Sequence, residues 1–127
     1  MNLINLYHLL EHAGMDENAG IHIERVTGDD QFSFYVAEVF PGTWLKSHYH
    51  TKGIELYQIL QGAGIMRIGR RTGETAVWEE EFTVESGDCF TIPEGMVHQL
   101  GNMTGERLIA GITCPPSHLG DDRFFLV

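Results

Sequence analysis

Positive charge is scarce in this 127-residue sequence: 8 Lys and Arg stand against 18 Asp and Glu, a formal net charge of −10 with His neutral. A chain of that sign lacks the basic footprint that phosphate-backbone binding requires, so no nucleic-acid partner is expected. Attachment to an anionic membrane surface is disfavoured for the same reason, which still leaves room for one small anion held by a local Lys, Arg or metal. Apolar runs are short as well, none approaching the ~18–20 residues that span a bilayer. The first residues carry Glu11 and His12 where a secretory leader would have a basic start and an apolar stretch. The reading is a soluble, unprocessed protein with no membrane partner. Cysteine is limited to Cys89 and Cys114, too few for a disulfide framework. Reduced thiols in a cytoplasmic protein follow, both expected to behave as small buried apolar side chains.

What the chain has in quantity is short apolar and β-branched runs separated by turn residues. Asn2 to Ala13 places Leu3, Leu6, Leu9 and Leu10 at helical spacing with Gly14 as a stop, which predicts one short amphipathic helix. Thereafter the runs IHIERV, FSFYVAEVF, IELYQIL, GIMRIG, EFTV, CFTI and RLIAGIT read as strands, punctuated by GDD, PG, QGAG, SGD and PEG. Many short strands with frequent turns predict an all-β sandwich or barrel. With no repeat, linker or low-complexity tract, residues 1–127 read as a single domain. Between Arg71 and Arg107 there is no Lys or Arg while acidic residues cluster, which reads as a solvated acidic face or hairpin.

The chemistry concentrates in GTWLKSHYHTKGIELYQILQG, Gly42 to Gly62. Side chains alternate faces along a strand, so His48 and His50 point the same way, and two imidazoles on one face chelate. Glu55 opens the next strand after a turn and can be brought beside them. His98 follows a Pro-x-Gly turn later in the chain and is a fourth candidate. Imidazole and carboxylate together suit Fe, Mn, Co, Ni, Cu or Zn better than Mg or Ca. Alternation also places Lys46 and Trp44 inward by counting back from His48, and Tyr57 and Ile59 inward by counting forward from Glu55. On that reading Lys46 is the cation that holds a substrate carboxylate or phosphate and Tyr57 is a proton donor. The bland alternatives are an ammonium in water at the barrel mouth and a core tyrosine.

These spacings resemble the two sequence motifs of the cupin superfamily. Gly42, His48, His50, Glu55 and Gly62 match the first motif without departure, and Gly87, Pro93, Gly95, His98 and Asn102 match the second. The resemblance implies a double-stranded β-helix, or jelly-roll barrel, with the short helix at its N-terminus. It also implies one divalent transition metal, of unspecified identity, on His48, His50, Glu55 and His98. Such a set leaves open coordination positions where a small substrate with adjacent oxygens would chelate, the mark of a catalytic site. Small members of the superfamily commonly pair, which makes a homodimer the expected assembly. The apolar tail Phe124 to Val127 is a candidate for docking across that interface.

Three functions follow. The leading one is a sugar or sugar-phosphate isomerase using metal-polarised carbonyl chemistry. The second is an Fe or Mn dioxygenase or decarboxylase acting on a chelating diol or short carboxylic acid. The third is a non-catalytic ligand or metal sensor, disfavoured because the jelly roll leaves no room for an output domain. Two further clusters compete for metal. His8-Leu9-Leu10-Glu11-His12 spells H-x-x-E-H, a zinc-peptidase signature, but the chain turns to strands directly after it. His118, Asp121 and Asp122 read as polar residues of a surface turn rather than as a second site.

Overall fold

The computed structural model describes residues 3–126. Asn5 caps the first element, its side-chain oxygen accepting from the N–H groups of Tyr7 and His8, donors that a helix start otherwise leaves unpaired. The helix α1 covers only Leu6–Leu10, shorter than the sequence pattern over 2–13 predicts; Asn2 lies outside the described residues. Its early end has a clear cause, because Gly14 does not stop the helix but opens a strand that pairs with Ile23. A helix this short has no stability of its own. It is held by Leu6, Leu9 and Leu10 packing on Val36 and Ile109. His8, Glu11 and His12 are exposed, and the helix ends before the second histidine, which removes the peptidase reading.

Twelve strands follow among the described residues: β1 (Gly14–Asp16), β2 (Ile21–Gly28), β3 (Ser33–Val39), β4 (Thr43–Trp44), β5 (His48–Tyr49), β6 (Glu55–Gln61), β7 (Ala63–Thr72), β8 (Thr75–Glu85), β9 (Cys89–Ile92), β10 (Val97–Asn102), β11 (Leu108–Cys114) and β12 (Phe124–Phe125). They form two antiparallel sheets, one in the order β1-β2-β3-β11-β6-β9 and the other β12-β5-β10-β7-β8, with β4 also on β10. This is the double-stranded β-helix that the motifs imply, and the two sheets close on a core that includes Tyr57, Ile59, Met66, Leu100 and Leu108. Alternation is clean in β6, where Glu55, Tyr57 and Ile59 face inward and Gln58 faces solvent. Among the described residues no helix is long and apolar enough to cross a membrane.

Two motif residues show why the barrel needs them. Gly62 turns β6 into β7 with φ +87°, and a Cβ there would fall 2.2 Å from the Arg107 carbonyl oxygen, so the turn passes against β11 only without a side chain. Asn102 is fully buried and ties three segments: its amide nitrogen donates to the carbonyls of Val39 and Glu106, and its oxygen accepts from the N–H and hydroxyl of Thr104. Glu79, Glu80, Glu81 and Glu85 of the acidic stretch lie on β8, a long, largely exposed strand at a sheet edge. Its Glu79 and Glu81 each lie 2.6 Å from Arg70 and Arg67 of β7. Charges on an edge strand deter pairing with other chains.

The chain's last turn departs from expectation. After Pro115 a single 3-10 turn, Pro116–Leu119, leads into β12, which pairs with β5 of the same chain, Phe125 opposite His48. The apolar tail packs on its own barrel, with Phe125 against the core and Phe124 stacked on Tyr49 but 43% exposed. Val127 lies outside the described residues. Cys114 is buried, as expected of a core thiol, but Cys89 at the start of edge strand β9 is exposed.

Candidate metal centre

Strands β5, β6 and β10 bring His48, His50, Glu55 and His98 together, all at least nine-tenths buried. His48 and His98 face each other directly across the β5–β10 pairing, their rings 4.2 Å apart. Each of the three histidines is oriented by a carbonyl at its Nδ1: Lys46 for His48 at 2.9 Å, Asp122 for His50 at 2.6 Å and Met96 for His98 at 3.2 Å. A carbonyl only accepts, so the ring proton sits on Nδ1 and the Nε2 lone pairs are left to converge. The three histidines offer ring nitrogens within 4.8 Å of one another.

The Nε2 atoms of His50 and His98 are buried without a hydrogen-bond partner. That is costly in a protein interior unless a cation takes up the lone pairs. His50 Nε2 also stands 2.8 Å from Glu55 Oε2, outside hydrogen-bond alignment. Burial, then the neighbouring His98, lowers His48 to a pKa of about 3, and burial lowers His98 to about 4. Both rings are therefore neutral, as ligation requires. Burial alone would raise Glu55, but the bond from His118 and the His50 ring beside it outweigh that and hold the carboxyl well below its ordinary range. Three imidazoles and one carboxylate, with the Nε2 atoms of His50 and His98 orphaned, fit a divalent transition metal.

The inward positions around β5 are not those that simple alternation gives. Leu45 is in the core, whereas Lys46 is exposed. Between β4 and β5 the chain leaves strand geometry for three residues: the N–H of Leu45 donates to Leu100 on one side and that of Lys46 to Ala19 on the other. The inward series is consequently 45, 48, 50, and counting back by twos misses it. Trp44 lies on the outer side under the Arg67 guanidinium, 4.3 Å from its ring centre, and Gln99 donates to the Leu45 carbonyl. Lys46 is thereby withdrawn as a group facing the metal residues. Tyr57 does face inward, 2% exposed, and burial together with the Glu55 charge raises its hydroxyl well above the ordinary tyrosine range.

Over half of the chain, residues 35–112, matches the family model described as the cupin domain. The chain belongs to the cupin family. Solved structures with the same fold include TT1209 of Thermus thermophilus, 21% identical with a TM-score of 0.72 over 91% of this chain and 98% of that one. An oxalate oxidase in complex with glycolate is 18% identical with a TM-score of 0.71, over 92% of this chain and 61% of that one. The oxalate decarboxylase of Lactobacillus farciminis, in a formate complex, is 19% identical with a TM-score of 0.70, over 90% of this chain and 33% of that one. At these identities the likeness is one of fold.

Two residues of this cupin's centre escape the sequence motifs. His118, expected in a surface turn, is 1% exposed, bonded through Nδ1 to Glu55 Oε2 at 2.9 Å and stacked on His50 with ring centres 3.9 Å apart and planes 3° apart. Arg123 is the cation on the inner side that Lys46 is not: it lines the space beside His48, His50, Glu55 and Tyr57 and pairs with Asp16. Both arrive on the segment after Pro115-Pro116, which folds back over the barrel. Asp121, by contrast, is exposed, and the carboxylate of Asp122 accepts from the N–H groups of Thr51 and Lys52, tying this segment to the turn after β5. A tail as apolar as RFFLV signals that this segment must pack somewhere, but not that a histidine goes inward with it.

Proposed function

We propose that this cupin is a metal-dependent enzyme that oxidises or decarboxylates a short, chelating carboxylic acid. The observation that carries the reading is the size of the space beside His48, His50, Glu55 and Tyr57, about 30 Å³. That is room for a water or two or a few heavy atoms, where a drug-sized or sugar-phosphate ligand occupies pockets of about 300 Å³ or more. Oxalate, glycolate and formate, the small acids associated with the structurally similar oxalate oxidase and decarboxylase, come nearer to that size than a sugar phosphate does.

In this reading His48, His50, Glu55 and His98 hold one divalent Fe or Mn, which supplies Lewis-acid and one-electron chemistry to a chelating substrate. The chain's own residues do the rest. Ile21, Leu45 and Ile112 line the space and exclude water, which strengthens every charge interaction within it. The Arg123 guanidinium offers a counter-charge to a carboxylate, in competition with Asp16. Tyr57, kept protonated by burial and by Glu55, is a hydrogen-bond donor at the wall and not a base. The test is to supply the Mn- and Fe-loaded protein with two- and three-carbon acids and with sugar phosphates, following oxygen uptake, carbon dioxide release and isomer ratios. Consumption of a short acid is expected. Isomerisation of a sugar phosphate with no short acid consumed would overturn the reading, and tight acid binding without turnover would turn it into a sensor.

A further inference from the structure

His118 is a buried titratable side chain that the four-residue ligand set does not use. Both of its ring nitrogens meet acceptors: Nδ1 lies 2.9 Å from Glu55 Oε2 and Nε2 lies 2.6 Å from the Lys52 carbonyl oxygen. An ionised carboxylate and a carbonyl have no proton to give, so both nitrogens donate. No lone pair remains on His118 for a metal, although His50, Glu55 and His118 also form a compact group of potential ligand atoms. The ring is fixed on every side. It stacks on His50, and the turn after β5 closes on Pro115 so tightly that a Cβ at Gly53 would fall 2.9 Å from the proline ring. The same segment supplies the Asp122 carbonyl that orients His50.

We infer that His118 is a positioning residue acting through Glu55: by donating to Oε2 it ties that oxygen down and leaves Glu55 to meet a metal through Oε1, the oxygen on the His98 side. Oε1 lies 3.9 Å from His98 Nε2, whereas Oε2 is shared between His118 and the edge of His50. A carboxylate so held offers one oxygen instead of two, which keeps a coordination position open for substrate. The C-terminal segment therefore supplies partners for two of the four ligands, one to His50 and one to Glu55. The inference rests on the reading of this cluster as a metal centre.

The experiment compares the full chain with His118→Asn, His118→Gln and His118→Phe. Asn places its amide nitrogen near the position of Nδ1 and can still donate to Glu55; Gln reaches the position of Nε2 and can donate only toward Lys52; Phe packs without donating. Mn2+ and Co2+ affinities are measured by competition with a chelator, with the visible spectrum of the Co2+ form and the melting curve of each metal-free variant recorded alongside. The expectation is that His118→Asn keeps the affinity and spectrum of the unsubstituted chain. His118→Gln and His118→Phe lose about 10- to 100-fold in affinity, with a changed Co2+ spectrum as Glu55 becomes free to offer both oxygens. Unchanged affinity and spectrum in His118→Gln and His118→Phe would overturn the inference, as would an equal loss in His118→Asn and His118→Gln, which would make the role one of packing. If His118→Phe does not fold, the comparison of Asn with Gln decides. Failure of the unsubstituted chain to bind Mn2+ or Co2+ is a different result, one that removes the metal centre itself.

Discussion

Acid will unfold the metal-free chain far earlier than its carboxylates alone would, because two of its buried histidines resist protonation. Burial lowers His48 to a pKa of about 3 and His98 to about 4, against an ordinary value of 6.5. For groups depressed in the folded state, the contribution to stability is present above the unfolded value and is lost as pH falls toward the folded one. Between about pH 6 and about pH 4.5 the unfolded chain binds two protons that the folded chain refuses, and each is worth about 1.4 kcal/mol per pH unit. Stability should fall by up to about 2.7 kcal/mol per unit in that window, a large share of the roughly 5–15 kcal/mol that a domain has in total. His118 does not offset this, since burial lowers its pKa but its bonds to Glu55 and Lys52 outweigh that and raise it. A raised group contributes most below its unfolded value and loses that contribution as pH rises through the folded one, so its effect lies on the alkaline side. The assay is urea unfolding of metal-free protein at several pH values, beside a His98→Leu variant. The variant should lose about half of the slope, close to one proton. A flat profile in the unsubstituted chain across this window, or a slope unchanged in His98→Leu, would refute the reasoning.

Asn102→Ala, which strips the bonds to Val39, Thr104 and Glu106 from a buried position, should cost about 2–4 kcal/mol in urea unfolding. Lys46→Ala should change stability by less than about 0.5 kcal/mol and leave metal content as it was, because the side chain faces water. One thiol per chain should react quickly with a thiol reagent in the folded state: Cys89 is exposed, while burial pushes Cys114 up to about 12 and keeps it protonated. Two fast thiols would mean that β11 opens readily.

The sequence makes the barrel and the clustering of His48, His50, Glu55 and His98 legible because both carry local signals. Glycines and prolines mark the turns, alternation puts His48 and His50 on one face, and Glu55 and His98 fall at the positions that the cupin motifs imply. Tyr57 and Ile59 are read correctly for the same reason, since β6 is an uninterrupted strand. Lys46 is misread where the assumption fails, in the three irregular residues between β4 and β5. His118 and Arg123 are out of reach for another reason. Their positions depend on a long-range packing event, a tail folding back more than sixty residues in sequence to meet Glu55, and no local pattern encodes which face of a one-turn helix goes inward. The helix α1 is overextended because its leucines stop at Leu10, where the helix ends, and Gly14, read as a helix stop, instead begins the pairing with β2.

His48, His50, Glu55 and His98 are expected to hold one divalent transition metal. Elemental analysis of tag-free protein, beside His48→Ala and His98→Ala variants that retain a cooperative melt, tests it most directly. About one Fe or Mn per chain in the unsubstituted protein, lost in both variants, is the predicted result. No metal after supplementation with both ions, or a content unchanged by either substitution, would contradict it.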